Sequence, residues 1–124
     1  MKKKLGQNFL INDSVAKKIV KLANFSQDDE IIEIGPGNGS LTDHLLRHQD
    51  KLTLLEIDID LIKKLKIKYR NYNLKIINGD ARFFQITGDK KHSLIGNLPY
   101  YASNKIIRNF LSQKNIKILK THAR

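Results

Sequence analysis

Four short apolar runs alternate along the chain with helix-like spacing, and this alternation restricts the fold more than any other feature. "EIIEIG" (30–35), "LTLLEID" (52–58), "LKIING" (74–79) and "SLIGN" (93–97) are short and nearly continuous in their hydrophobicity. Strands of that kind are covered on both faces, as in parallel sheets. Between them, Leu41 and Leu45, and then Leu61, Leu65 and Tyr69, recur one turn apart, with Lys63, Lys64 and Lys66 largely off that face. The spacing predicts helices from Ser40 to about Arg47 and from a cap at Asp60, with Asp58 in solvent. Ahead of the first run, Asn12 and Asp13 offer a cap for a helix whose apolar stripe is Val15, Ile19, Leu22 and Ala23. "FSQDDE" reads as a loop. Ser103 is expected to cap a helix packed through Ile106, Ile107, Phe110 and Leu111, and "NIKIL" to form a fifth strand. A single α/β domain follows, with a doubly wound, mainly parallel sheet.

Ligands of such sheets bind at the carboxyl ends of the strands. The first run opens into "EIGPGNGSLT" (33–42), where Gly35, Gly37 and Gly39 allow a tight turn and close approach of backbone to a ligand ahead of a helix. The spacing is G-x-G-x-G, not the G-x-G-x-x-G of dinucleotide-binding turns. Glu56 ends the second run, about 20 residues beyond that turn, where an acid accepts from ribose hydroxyls. This fits NAD and S-adenosylmethionine equally. Asp80, in "NGDARFF", is placed to accept from an adenine amino group or, equally, to shape a turn after Asn-Gly.

The fourth run ends in "GNLPYYAS". Asn97 offers a side-chain carbonyl and Leu98 a backbone carbonyl, in a segment that Pro99 stiffens. Tyr100 offers a face for a base. Two acceptors aimed at an exocyclic NH₂ draw its lone pair out of conjugation, so that the nitrogen attacks an electrophilic methyl group better. Hydride transfer has no use for that arrangement.

Charge narrows the partners. The net charge is +11, which favours polyanions. Lys2, Lys3, Lys4, Lys17, Lys18 and Lys21 open the chain against Asp13 alone, and no acid follows Asp89. Lysines of an AT-biased genome, merely solvated, are the competing explanation. The chain has no cysteine, so disulfides and thiolate metal sites are excluded. No apolar run approaches the ~20 residues that span a bilayer, and the basic start lacks the apolar core of a signal peptide. A cytoplasmic, monomeric protein without membrane contact is expected.

Taken together, "KKLGQNFL", "EIGPGNGSLT", "EID", "GDA" and "GNLPY" resemble the ribosomal RNA adenine N6-dimethyltransferases over residues 2 to about 112. The resemblance implies a Rossmann-like, S-adenosylmethionine-dependent methyltransferase fold that dimethylates adenines of small-subunit rRNA, free or in an assembling subunit, without a metal. It implies cofactor contacts at Asn8, Leu10, Gly35, Gly37, Glu56, Asp80 and Asn97, and a catalytic target-base clamp of Asn97, Leu98, Pro99 and Tyr100. Lys2, Lys3, Lys4, Lys105 and Arg108 are the candidate RNA contacts. Where the family continues with Asn-Ile-Ser, this chain has Tyr101, Ala102 and Ser103, with Tyr101 either a second stacking surface or a packing residue. Against the family the chain is expected to be C-terminally truncated, residues 1–124 being an incomplete catalytic domain without the family's helical domain that grips RNA. An inactive RNA-binding or ribosome-assembly module is therefore the alternative. A large-subunit methylase of the macrolide-resistance type is another, and an NAD-dependent dehydrogenase a third, disfavoured by the glycine spacing and "NLPY".

Overall fold

The structure, a computed structural model, describes residues 11–98 and 100–123. Its elements run α1 (Asp13–Ala23), β1 (Glu30–Ile34), α2 (Ser40–Leu45), β2 (Lys51–Glu56), α3 (Ile59–Lys68), β3 (Leu74–Asn78), β4 (His92–Leu98), α4 (Tyr100–Leu111) and β5 (Ile116–Ala123). The strands form one sheet in the order β3-β2-β1-β4-β5, and every pairing is parallel. This is the expected α/β architecture.

Side chains alternate across the sheet and divide the core in two. Ile31, Leu52, Leu54 and Ile95 pack with Ala16, Val20, Leu41, Leu45 and Leu65 of α1, α2 and α3 and with Tyr69 just past α3. Ile32, Ile34, Leu55, Leu94 and Leu98 pack on the other face with Ala102, Ile106 and Phe110 of α4. Helices on both faces explain why the strands lack a polar side. Burial of each large aliphatic side chain contributes about 1.5–3 kcal/mol.

Three local expectations are corrected. On α1 the buried stripe is Ala16, Val20 and Ala23, while Leu22 is 71% exposed and Val15 faces outward. Both stripes satisfy helical periodicity, and the one carrying small Ala16 lies where α1 packs closely on α2. Asp58, rather than Asp60, caps α3: its carboxylate accepts from the Asp60 N–H at 2.8 Å. Correspondingly, Ile62 is buried in place of Leu61, beside Leu65 and Tyr69. Ser103 does not start α4, which begins at Tyr100 and buries Ser103 within it. The α1 cap is as expected, Asn12 Oδ1 accepting from the Val15 N–H at 2.8 Å.

The corrected cap is measurable. Asp58→Ala should cost about 1 kcal/mol in chemical denaturation. Asp60→Ala, which removes only a first-turn acid, should cost about 0.3–1 kcal/mol, and a larger loss at Asp60 than at Asp58 would make Asp60 the cap.

Candidate functional site

The parallel register sets Asn78, Glu56 and Asn97 almost level at the carboxyl edge of the sheet. Glu56 pairs with Asn78, while Ile34 pairs with both Leu55 and Gly96, one residue short of Gly35, Glu56 and Asn97. A cleft opens above that edge. Gly35, Gly37, Glu56, Asp80, Asn97 and Leu98 all line it, so the structure brings together every site residue foreseen within the described part of β1 to β4.

The glycine turn is built and bolted from below. Gly37 has φ 59°, a conformation that costs any residue with a Cβ, and its N–H donates to Glu56 Oε1 at 3.2 Å. Gly39, at φ 97°, is required by packing too, since a Cβ there would lie 2.0 Å from Tyr69 Oη. That hydroxyl donates its one proton to Asp43 Oδ1 at 2.6 Å, with the Gly39 carbonyl 3.3 Å from the same oxygen. Burial, with Asp43 alongside, pushes the Tyr69 phenol well above its ordinary range. Lys68 Nζ reaches the Asn38 carbonyl at 2.9 Å. At Gly35, φ 63°, an added Cβ would meet nothing within 4 Å, so open space lies directly over the turn.

Glu56 is 2% exposed. Burial pushes its carboxyl above the ordinary value, while the N–H groups of Asp58, Gly37 and Ile57 pull it back. Its Oε2 accepts from Asp58 at 3.0 Å. These backbone donors fix both oxygens at the cleft wall.

Asp80 differs from expectation in its surroundings. Arg82 holds both carboxylate oxygens, Nη2 at 2.6 Å from Oδ2 and Nε at 3.0 and 3.2 Å, and the Arg82 N–H adds a bond at 2.9 Å. The Arg82 guanidinium keeps the Asp80 carboxyl below the usual carboxylate range. Asp80 thus shapes the turn after Asn-Gly, with its carboxylate at the cleft wall held by Arg82.

Asn97 is the sharpest feature. Its Oδ1 is buried and has no hydrogen-bond partner among the described residues, although it lines the cleft. Most buried polar atoms are paired; this acceptor is set for a donor that the described chain does not supply.

Glu33 carries no role in the sequence reading, yet it lines the same cleft. It is 1% exposed and accepts from Thr42 Oγ1 at 2.5 Å. Burial pushes its carboxyl up to about 8. The signal that marks it is an acid inside an apolar strand.

Asn8 and Leu10, Lys2, Lys3 and Lys4, and Pro99 lie outside the described residues, as do the side chains of Tyr100 and Tyr101. Lys105 and Arg108 are on α4 and do not line the cleft, Lys105 being exposed and Arg108 likewise. Among the described residues no helix is long and apolar enough to cross a membrane, and no group of three or more His, Cys, Asp or Glu could hold a metal ion.

Known proteins share both sequence and fold. A relative in Malacoplasma penetrans, the ribosomal RNA small subunit methyltransferase A, is 42% identical over 116 residues, 91% of this chain and 42% of the relative. The chain thus spans less than half the length of that protein. The 23S rRNA methyltransferase ErmE superimposes with a TM-score of 0.80 at 27% identity, over 92% of this chain and 48% of the other. A dimethyladenosine transferase from Plasmodium falciparum gives 0.75 at 29%, over 88% and 40%. The family model for ribosomal RNA adenine dimethylase matches residues 1–122, and with the cleft's architecture this places the chain in the ribosomal RNA adenine dimethylase family.

Proposed function

We propose that residues 1–124 form the cofactor-binding part of a catalytic domain that dimethylates adenine N6 in small-subunit rRNA, with S-adenosylmethionine as methyl donor. The observation that carries this reading is Asn97 Oδ1, buried without a partner among the described residues, in a cleft with the glycine turn and Glu56. The donor set suits the cofactor: open space over Gly35, an acid at the end of β2 for ribose hydroxyls, and Asp80 for an adenine amino group in exchange with Arg82. When bound, S-adenosylmethionine supplies an electrophilic methyl group.

The chain's own residues do the rest. Asn97 Oδ1 and the Leu98 carbonyl accept from the two hydrogens of the target amino group, turning the nitrogen lone pair towards the methyl. Tyr100 stacks the base, and Pro99 holds the segment rigid. No strong base is required, because the nitrogen becomes acidic once methylated and releases its proton to water. Alignment supplies much of the rate. Small-subunit rRNA is favoured over the large subunit because the relative named for the small subunit is 42% identical, against 27% for the 23S enzyme.

The reading is tested by incubating the chain with labelled S-adenosylmethionine and undermethylated small subunits. Label in adenine N6 that Asn97→Ala abolishes is the expected result. Cofactor binding without transfer would favour the inactive assembly module, and preference for NAD would sink both. Glu56→Ala should weaken binding of S-adenosylhomocysteine by about 10- to 100-fold, the loss of a hydrogen bond to a charged group. Calorimetric titration reads this directly.

A further inference from the structure

Parallel strands have a second end, opposite the cleft. There the carboxyl half of α1, the segment entering β1 and the turn from α2 into β2 surround a groove lined by Lys17, Lys21, Arg47, His48 and Gln49. Lys17, Lys21 and Arg47 are exposed, and none joins an ion pair among the described residues. Two neighbouring acids do not line the groove and are engaged by side chains that do: Asp13 lies 2.8 Å from His44 Nε2, and Asp50 accepts from Gln27 Nε2 at 3.2 and 3.4 Å. Gln49 forms the floor. It is 7% exposed, its Nε2 donates to the Phe25 carbonyl at 3.4 Å, and its Oε1 is buried with no partner among the described residues.

These two observations specify a ligand class. Unpaired cations along one groove attract a polyanion. A phosphodiester cannot satisfy Gln49 Oε1, because it has no proton to donate; the ribose 2′-hydroxyl can, and RNA has it where DNA does not. We propose that this groove is an RNA-binding site separate from the cleft, with Lys17, Lys21 and Arg47 on backbone phosphates and Gln49 Oε1 accepting from a ribose 2′-hydroxyl. Strands of five and six residues, rising about 3.3 Å per residue, put it roughly 17–20 Å from the cleft. RNA engaging both ends is oriented on the protein as well as attracted to it. That this RNA is the substrate rests on the proposed function.

The test is titration of a labelled short single-stranded RNA, and DNA of the same sequence, into the full chain across a salt series. The Lys21→Glu, Arg47→Glu double variant should lower RNA affinity about tenfold or more at low salt, and flatten the dependence of log affinity on log salt by about 0.7 for each phosphate no longer neutralised. Gln49→Leu should erase the preference for RNA over DNA and leave the salt slope unchanged. Where either variant melts early, Lys17→Gln with Lys21→Gln, and Gln49→Met, read the same quantities. An unchanged slope in the charge variants, equal affinity of the wild type for RNA and DNA, or no RNA binding at all overturns the proposal. S-adenosylhomocysteine titrated into the same proteins reads the cleft alone. Should it fail to bind while the RNA slope still responds, the proposed function falls and the groove stands.

Discussion

Asn97→Ala is expected to reduce methyl transfer by about 10²–10³-fold, the size of losing one preorganised polar group aimed at a reacting centre, while the protein keeps its stability. The two halves of that expectation come from the same atom. Asn97 Oδ1 is buried without a partner among the described residues, and an unsatisfied buried acceptor costs the folded state about 1–3 kcal/mol. Removing it relieves that cost, so Asn97→Ala, and still more the better-filling Asn97→Leu, should unfold at the same or higher denaturant concentration than the wild type. Affinity for S-adenosylhomocysteine should fall far less than transfer does, because the glycine turn and Glu56 are untouched and only the contact expected from Asn97 is lost. Higher stability with lost transfer is the signature of a group kept for chemistry at the expense of folding. Lower stability in step with lost activity would make Asn97 a packing residue, and transfer within tenfold of the wild type would remove it from the clamp.

The strands and the cleft were legible in the sequence for one reason: near-continuous apolar runs force a two-sided parallel sheet, and such a sheet collects its strand ends at one edge. Gly35, Gly37, Glu56, Asp80, Asn97 and Leu98 all stand at or just past the end of such a run, and that position alone marks them. Rotation and phase were not legible in the same way. The periods through Leu22 and through Ala16 describe α1 equally well, and the choice lies in how closely α2 approaches. Asp58 and Asp60 are both good caps, and the end of β2 at Glu56 decides between them. Ser103 read as a cap, although Pro99 just before Tyr100 is itself a start signal. The engagement of Asp80 by Arg82 depends on a side chain folding back within a loop, and no pattern encodes that. The basic groove depends on residues about 30 positions apart meeting at the far ends of α1 and α2, so its charges read only as a general excess.

Glu33 should make the protein lose stability as pH rises, and Glu33→Gln should remove much of that loss. Burial pushes this carboxyl from 4.5 up to about 8 in the folded chain, so between those values the native state holds a proton that the unfolded chain has released. Stability then falls with rising pH. The contribution is fully present below about 4.5, declines through the window and is lost above about 8. At about 1.4 kcal/mol per pH unit, the whole window amounts to several kcal/mol. Gln keeps the shape and an acceptor for Thr42 Oγ1, so its stability should vary less between about pH 5 and pH 8 and should exceed the wild type at the upper end. Glu56, also pushed up by burial, leaves a residual slope of the same sign in both proteins. Thermal melts of the pair across this range decide the matter: parallel curves would mean that Glu33 is ionised in the folded protein, stabilised by charges that outweigh its burial.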